Sequence, residues 1–142
     1  MYHILYQSYA VGVPSVADLK QLLRQSRTNN IRLSITGLLL FGSGSYLQVL
    51  EGEQGVVEQL YEVIRNDRRH FGVVTLSSGS IQTRVFQDWT MGFQELPKQD
   101  FDRLMGYTDP YRAKFQAAHP PEVEEGMRRL LRSFVVSAGS QF

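Results

Sequence analysis

The amino-acid sequence predicts an α+β fold, a two-layer sandwich in which two helices cover one face of a sheet, and three observations carry that expectation. Strand-like and helix-like segments follow one another in the order β-α-β-β-α-β-β. Two apolar runs, Leu33 to Phe41 and Ser45 to Leu50, flank Gly42-Ser43-Gly44 and form a hairpin signal, because glycine reaches positive φ without strain. An amphipathic helical stripe lies on each side of that hairpin in the chain, and such a stripe needs an apolar cover. The order is the ferredoxin-like pattern with one extra strand, followed by a C-terminal helical extension. With 142 residues, 42% of them hydrophobic, the chain suffices for one compact core and is short for two. The expected division is residues 1–96 for the sandwich and 97–142 for the extension, which packs on the sheet or makes oligomer contacts.

Taken in order, Tyr2 to Ser8 is a strand with Tyr2, Ile4 and Tyr6 on one face and His3, Leu5 and Gln7 on the other. His3 is expected to be a plain strand residue near the terminus. Ser15 and Asp18 make a capping box, and Val16, Leu19, Leu22, Leu23 and Ser26 follow at helical spacing, with the helix ending near Thr28. Ser26 lies on the inward stripe, where its hydroxyl bonds either its own backbone or a buried ligand. Asn29-Asn30 then reads as a cap or turn before the hairpin. Neither hairpin strand has a polar face, so both sides are expected to be covered. Gln48 interrupts this run, and a buried amide without partners costs about 1–3 kcal/mol. Its partner is a backbone group, a neighbouring hydroxyl or a ligand.

Glu51-Gly52 is expected to open the second helix, with Val56, Val57, Leu60, Val63 and Ile64 as its stripe and Asn66-Asp67 as its stop. Val73 to Leu76 forms the fourth strand and Val85 to Phe93 the fifth, with Trp89, Met91 and Phe93 on one face. Lys98 to Met105 is a short helix. Pro120-Pro121 precedes a longer one from about Glu122 to Val136, with Val123, Met127, Leu130, Leu131 and Phe134 as its stripe and Glu124/Arg128 and Glu125/Arg129 as i,i+4 pairs. The sheet face opposite the first two helices is its natural cover, and another copy of the chain is the alternative.

Composition excludes several functions. A net charge of +1 gives no footprint for nucleic acid or an anionic membrane. The absence of cysteine removes thiolate metal sites, a thiol nucleophile and any cysteine adduct with a cofactor. His3, His70 and His119 are isolated from carboxylates at ligand spacing, so no metal is expected. No Walker loop, GxGxxG or nucleophile elbow is present. The N-terminus MYHILYQS lacks the features of a signal peptide and no run approaches 18 apolar residues, so the expectation is a cytoplasmic protein. Arg65, Arg68, Arg69 and His70 make a basic end to the second helix, either solvated there or contacting phosphate.

The ordered set YQS, NNIRLSITGLLLF, YLQVLEG, DRRH and FQDWTMGF, spread over about residues 2 to 94, resembles the BLUF domain, the flavin-binding blue-light sensor of bacteria. The resemblance implies a noncovalently bound flavin, FAD or another. It assigns Tyr6 as the donor of an electron and then a proton to the excited flavin, and Gln48 as the amide between that phenol and the ring, whose hydrogen bonds rearrange in light. It places Asn30 at the ring's polar edge, Asn29 and Ser26 in neighbouring positions, Arg69 and His70 near the flavin side chain, and Trp89 and Met91 in a relay on the fifth strand. The implied role is a photoreceptor rather than an enzyme, forming homo-oligomers and acting on a separate downstream regulator. The alternatives are a small ferredoxin-like enzyme of the acylphosphatase kind and a ligand-sensing module without flavin.

Overall fold

The computed structural model describes residues 1–108, 125–126 and 128–133. The elements run β1 (Tyr2–Ala10), α1 (Val16–Leu33), β2 (Thr36–Gly42), β3 (Ser45–Gly52), α2 (Gln54–Arg65), β4 (His70–Ser80), β5 (Gly92–Glu95) and α3 (Lys98–Thr108). They form one five-stranded sheet in the order β4-β1-β3-β2-β5. Every neighbouring pair is antiparallel except β2 and β5. This is the ferredoxin-like arrangement with β5 added beside β2.

Every residue of β2 and β3 is buried, because the sheet is covered on both sides. Strand alternation divides the side chains between two cores. Ile4, Tyr6, Leu39 and Leu50 meet Leu19 and Leu23 of α1 and Val57 and Tyr61 of α2. Leu5, Leu38, Leu47 and Val49 meet Val85, Phe86, Leu96, Phe101 and Leu104 on the other side, together with Leu131.

The hairpin link is a two-residue turn, tighter than the three residues expected. Ser43 and Gly44 have φ of 52° and 71°, the positive values that a type I′ turn demands. Gly42 belongs to the strand and pairs with Ser45. A Cβ on Gly42 would lie 2.8 Å from the Leu96 carbonyl oxygen and 2.9 Å from Phe101, so its smallness serves packing.

Several boundaries move, each for a physical reason. The capping box at Ser15 and Asp18 starts α1 as expected, but the helix continues past Thr28 to Leu33 and stops at Ser34, whose φ is 55°. Asn29 and Asn30 are therefore helical, since Asn30 is buried and spends its amide on the distant Thr90 carbonyl. β2 consequently begins at Thr36 instead of Leu33. Glu51 and Gly52 end β3 rather than opening α2. β4 is longer than expected, pairing with β1 from His70 to Ser80 through two register shifts. His3 is more than a terminal strand residue: it is buried, and its ring is bonded to the Gly79 carbonyl and the Ser77 hydroxyl, both at 3.0 Å.

The fifth strand is the largest correction. Only Gly92–Glu95 is strand, and residues 85–91 form bends and turns ahead of it. With no ladder there, alternation does not govern the side chains, and Trp89 does not share a face with Met91 and Phe93. Met91 and Phe93 enter the core under α1 and α2, while Trp89 packs on Phe86 in the opposite core. Of the longer C-terminal helix, residues 125, 126 and 128–133 are helical, and Val123, Met127 and Phe134 lie outside the described residues. Leu131 is buried and Leu130 is 39% exposed, so of these two only Leu131 faces the core.

Candidate functional site

The core under α1 and α2 opens into a cleft of about 770 Å³, measured to include its solvent-facing mouth. Its aliphatic walls come from Leu22 of α1, Leu39 and Leu50 of the hairpin, and Leu60, Val63 and Ile64 of α2. Its polar groups come from three places. Ser26, Asn29 and Asn30 follow one another at i, i+3 and i+4 along α1, which keeps them on one side of that helix. Tyr6 and Gln48 stand opposite each other on β1 and β3. Arg69 and His70 enter where α2 turns into β4.

Tyr6 donates its phenolic hydrogen to Gln48 Oε1, and both side chains are buried. Gln48 Nε2 in turn donates to Met91 Sδ at 3.5 Å, a weak acceptor. The Gln48 amide is thus oriented by a strong partner on its oxygen and a soft one on its nitrogen. Burial raises the Tyr6 pKa well above that of an exposed tyrosine, and Tyr61, Asp67 and Tyr46 push it the same way. The phenol is therefore neutral at any ordinary pH.

Aromatic rings surround that phenol. Tyr61 lies 5.3 Å from Tyr6 between centroids and shares a 2.6 Å hydrogen bond with the Thr75 hydroxyl. His70 meets Tyr6 edge-on at 6.2 Å. Its Nε2 donates to the Ile64 carbonyl at 2.5 Å, and its Nδ1 shares a 2.7 Å hydrogen bond with the Ser8 hydroxyl. Arg69 is clamped by Asp67, with 2.6 Å between Nη2 and Oδ2, and reaches Gln25 of α1 at 2.8 Å. The Arg69 hydrogen bond holds the Asp67 carboxyl below its ordinary range. Arg69 thus ties the start of β4 to α1 across the cleft.

The cleft brings together seven of the nine residues singled out in the sequence: Tyr6, Ser26, Asn29, Asn30, Gln48, Arg69 and His70. Met91 reaches it through Gln48, and Trp89 does not reach it. Trp89 lies on the far side of the sheet, where the Arg132 guanidinium stands 4.4 Å from its ring centroid.

Sequence reasoning missed Tyr61, although it falls four residues after Val57 on the same helical stripe. It also missed Glu51, whose signal was the alternation Leu47, Val49, Glu51 running on past the apolar run. Glu51 is fully buried and accepts from the Val85 and Phe86 N–H groups at 3.0 and 2.9 Å. Arg128 stands 3.3 Å from the same carboxylate. Burial raises the Glu51 pKa, against the opposing pull of those two N–H groups and of Arg128.

Among the described residues no cluster of His, Asp and Glu is placed to hold a metal ion, and no helix is long and apolar enough to cross a membrane.

The chain is similar to several known proteins. It is 39% identical over 89 residues to the photoactivated adenylate cyclase subunit beta of Euglena longa, a match covering 62% of this chain and 10% of that protein. It is 25% identical over 135 residues to the blue light- and temperature-regulated antirepressor BluF of Escherichia coli (strain K12), covering 94% of this chain and 32% of that one. This chain's matched part is thus between about a tenth and a third of the length of these curated relatives. The dark-state structure of BlrB, a BLUF protein, superposes with a TM-score of 0.70 at 27% identity, covering 93% of this chain and 96% of that one. The family model described as sensors of blue-light using FAD matches residues 1–92, and the chain belongs to the BLUF family.

Proposed function

We propose that this protein senses blue light through a flavin, FAD or another, held noncovalently in the cleft between α1 and α2, with Tyr6 and Gln48 as its photoactive pair. The single observation that carries this reading is the buried chain from Tyr6 through the Gln48 amide to Met91 in the wall of that cleft. The donor set suits a flavin. An isoalloxazine ring has two apolar faces and one polar edge, and the cleft offers aliphatic walls with amides and a hydroxyl gathered on one side. Asn30, Asn29, Ser26 and Gln48 would hold the polar edge, and Arg69 and His70 would lie toward the flavin side chain.

When bound, the flavin supplies absorption of blue light and an excited state able to take an electron from a nearby phenol. The protein's part follows from its own groups. A phenol with so high a pKa does not ionise spontaneously, so Tyr6 gives up its proton only when its electron is withdrawn. Gln48 Oε1 already accepts the hydrogen bond of that phenol, so the amide would stand between Tyr6 and the flavin that would take the electron and then the proton. An amide whose two ends differ in hydrogen-bonding character can then settle in a second orientation, and that rearrangement is the stored signal. Without cysteine, the chain stores it without a cysteinyl adduct to the flavin.

The reading extends to output. Residues 1–96 act as the sensing unit and 97–142 as the extension that carries the change, in the cytoplasm, to a separate regulator protein or to a second copy of the chain. Leu131 in the second core and Arg132 against Trp89 support a link between the extension and the sensing unit. Catalysis of a substrate is not part of this role.

Illumination of the purified protein tests it. The flavin absorption should move slightly to the red and recover in the dark without added reagents. Tyr6→Phe and Gln48→Leu should retain flavin, because the cleft walls remain, and lose the shift. A bleached, adduct-like spectrum, or a normal shift in either variant, overturns the proposal.

A further inference from the structure

Residues 89–91 precede β5 without belonging to any helix or strand, so their carbonyls must find partners outside a ladder. Three successive ones do so. Trp89 O accepts from the Gly37 N–H at 3.0 Å, Thr90 O from Asn30 Nδ2 at 2.5 Å, and Met91 O from Arg27 Nε at 2.9 Å. Gly37 belongs to β2, and Asn30 lines the cleft. Arg27 is not among the residues lining the cleft, yet it comes three residues before Asn30 on α1 and grips the next carbonyl along. It does so from a half-buried position that lowers its pKa through lost hydration.

We propose that Arg27 is a positioning residue of the photoactive site: by holding the Met91 carbonyl it holds the Met91 sulfur against the Gln48 amide and so sets how readily that amide turns. The inference rests on the Tyr6–Gln48 reading above. A thioether sulfur accepts weakly and has no proton to give. With Gln48 Nε2 facing it at 3.5 Å, the amide N–H has a partner. Were the amide to turn, its oxygen would face the sulfur and find no donor there. As long as Met91 is fixed, the turned amide is disfavoured and returns promptly. Releasing the Met91 carbonyl lets the sulfur withdraw, and the turned amide persists.

The test is the rate of dark return after a blue-light pulse, with flavin bound. Arg27→Ala should keep the red shift and slow its decay about three- to tenfold, the range expected from the loss of one hydrogen bond. Arg27→Lys, which keeps a donor on a long stem, should return at close to the wild-type rate. Arg27→Met reads the same quantity if Arg27→Ala fails to fold. A merely structural role would lower thermal stability without changing the decay, and lysine would not selectively restore it. A second readout needs no light: the 13C-methyl NMR signal of Met91, assigned with Met91→Leu, should move in Arg27→Ala and return in Arg27→Lys. Decay as fast as wild type or faster, with an unmoved Met91 methyl signal, overturns the inference while the proposed function stands. A wild-type protein that shows no red shift at all removes the proposed function and this inference together.

Discussion

The two faces of the sheet are drawn from the same strands and bury different chemistry. Along β3, Leu47 and Val49 enter one core while Gln48 and Leu50 face the other side. The face under α1 and α2 holds phenols, amides and an imidazole around a cleft of about 770 Å³. The opposite face closes Phe86, Phe101, Leu104 and Leu131 over the leucines of the hairpin, and its notable buried charges are Glu51 and Arg128. Adaptable hydrogen bonding and dense packing are thus kept on opposite sides of one ladder.

That division can be broken or sharpened by substitution. The largest expected effect is on the closed face: Phe86→Ala should lower unfolding free energy by about 3–5 kcal/mol, the range for emptying a large aromatic site. Leu22→Ala on the cleft wall should cost clearly less, because that side chain is only half-buried. Urea denaturation of both decides it, and equal losses would erase the contrast between the faces.

A smaller effect is expected at Glu51. Removing one partner of a buried ion pair costs about 3–5 kcal/mol where nothing else holds the remaining charge. The Val85 and Phe86 N–H groups still bind the carboxylate, so Arg128→Met should cost about 2 kcal/mol. Adding Glu51→Gln to Arg128→Met should cost less than the sum of the single losses, and a strictly additive double-mutant cycle would show that the two are uncoupled.

The smallest effect is confined to alkaline solution. A phenol with a raised folded-state pKa binds its proton more tightly folded than unfolded, so its contribution is present below the unfolded tyrosine pKa and lost as pH rises past it. Above about pH 10 the burial of Tyr6 should cost about 1.4 kcal/mol of stability per pH unit. Tyr6→Phe should show a shallower decline there, by chemical denaturation at stepped pH. Parallel slopes for the two proteins would mean that the phenol is not buried as described.

Features that depend on near neighbours were legible in the sequence. The capping box at Ser15, the hairpin, the alternation in β1 and the stop at Asn66 all arise within a few residues. Gln48 was legible because one amide interrupts a run of apolar residues. Features set by distant partners were not. Asn29-Asn30 has the composition of a turn, and a bond to a carbonyl 60 residues away keeps Asn30 helical. Trp89 and Met91 look like same-face neighbours because spacing of two means one face in a strand, but residues 85 and 86 are held by the Glu51 carboxylate and residues 89–91 by Gly37, Asn30 and Arg27 instead of a ladder. Arg27 resembles any solvated helix arginine until Met91 is brought beside it.

The pairing of Leu39 with Gln48 is counted from the two-residue turn at Ser43-Gly44, and this gives the hairpin an arithmetic. One residue added inside β3, between that turn and Gln48, would exchange odd and even positions for the rest of the strand. Gln48 would then point among the phenylalanines, and the Glu51 carboxylate would leave its two N–H partners and take the place of Gly52 against Ile35 and Val57. A second added residue would restore both. Length added within the turn itself, with Gly42 still paired to Ser45, leaves the count untouched, so this hairpin tolerates growth at its tip and only even steps along its arm.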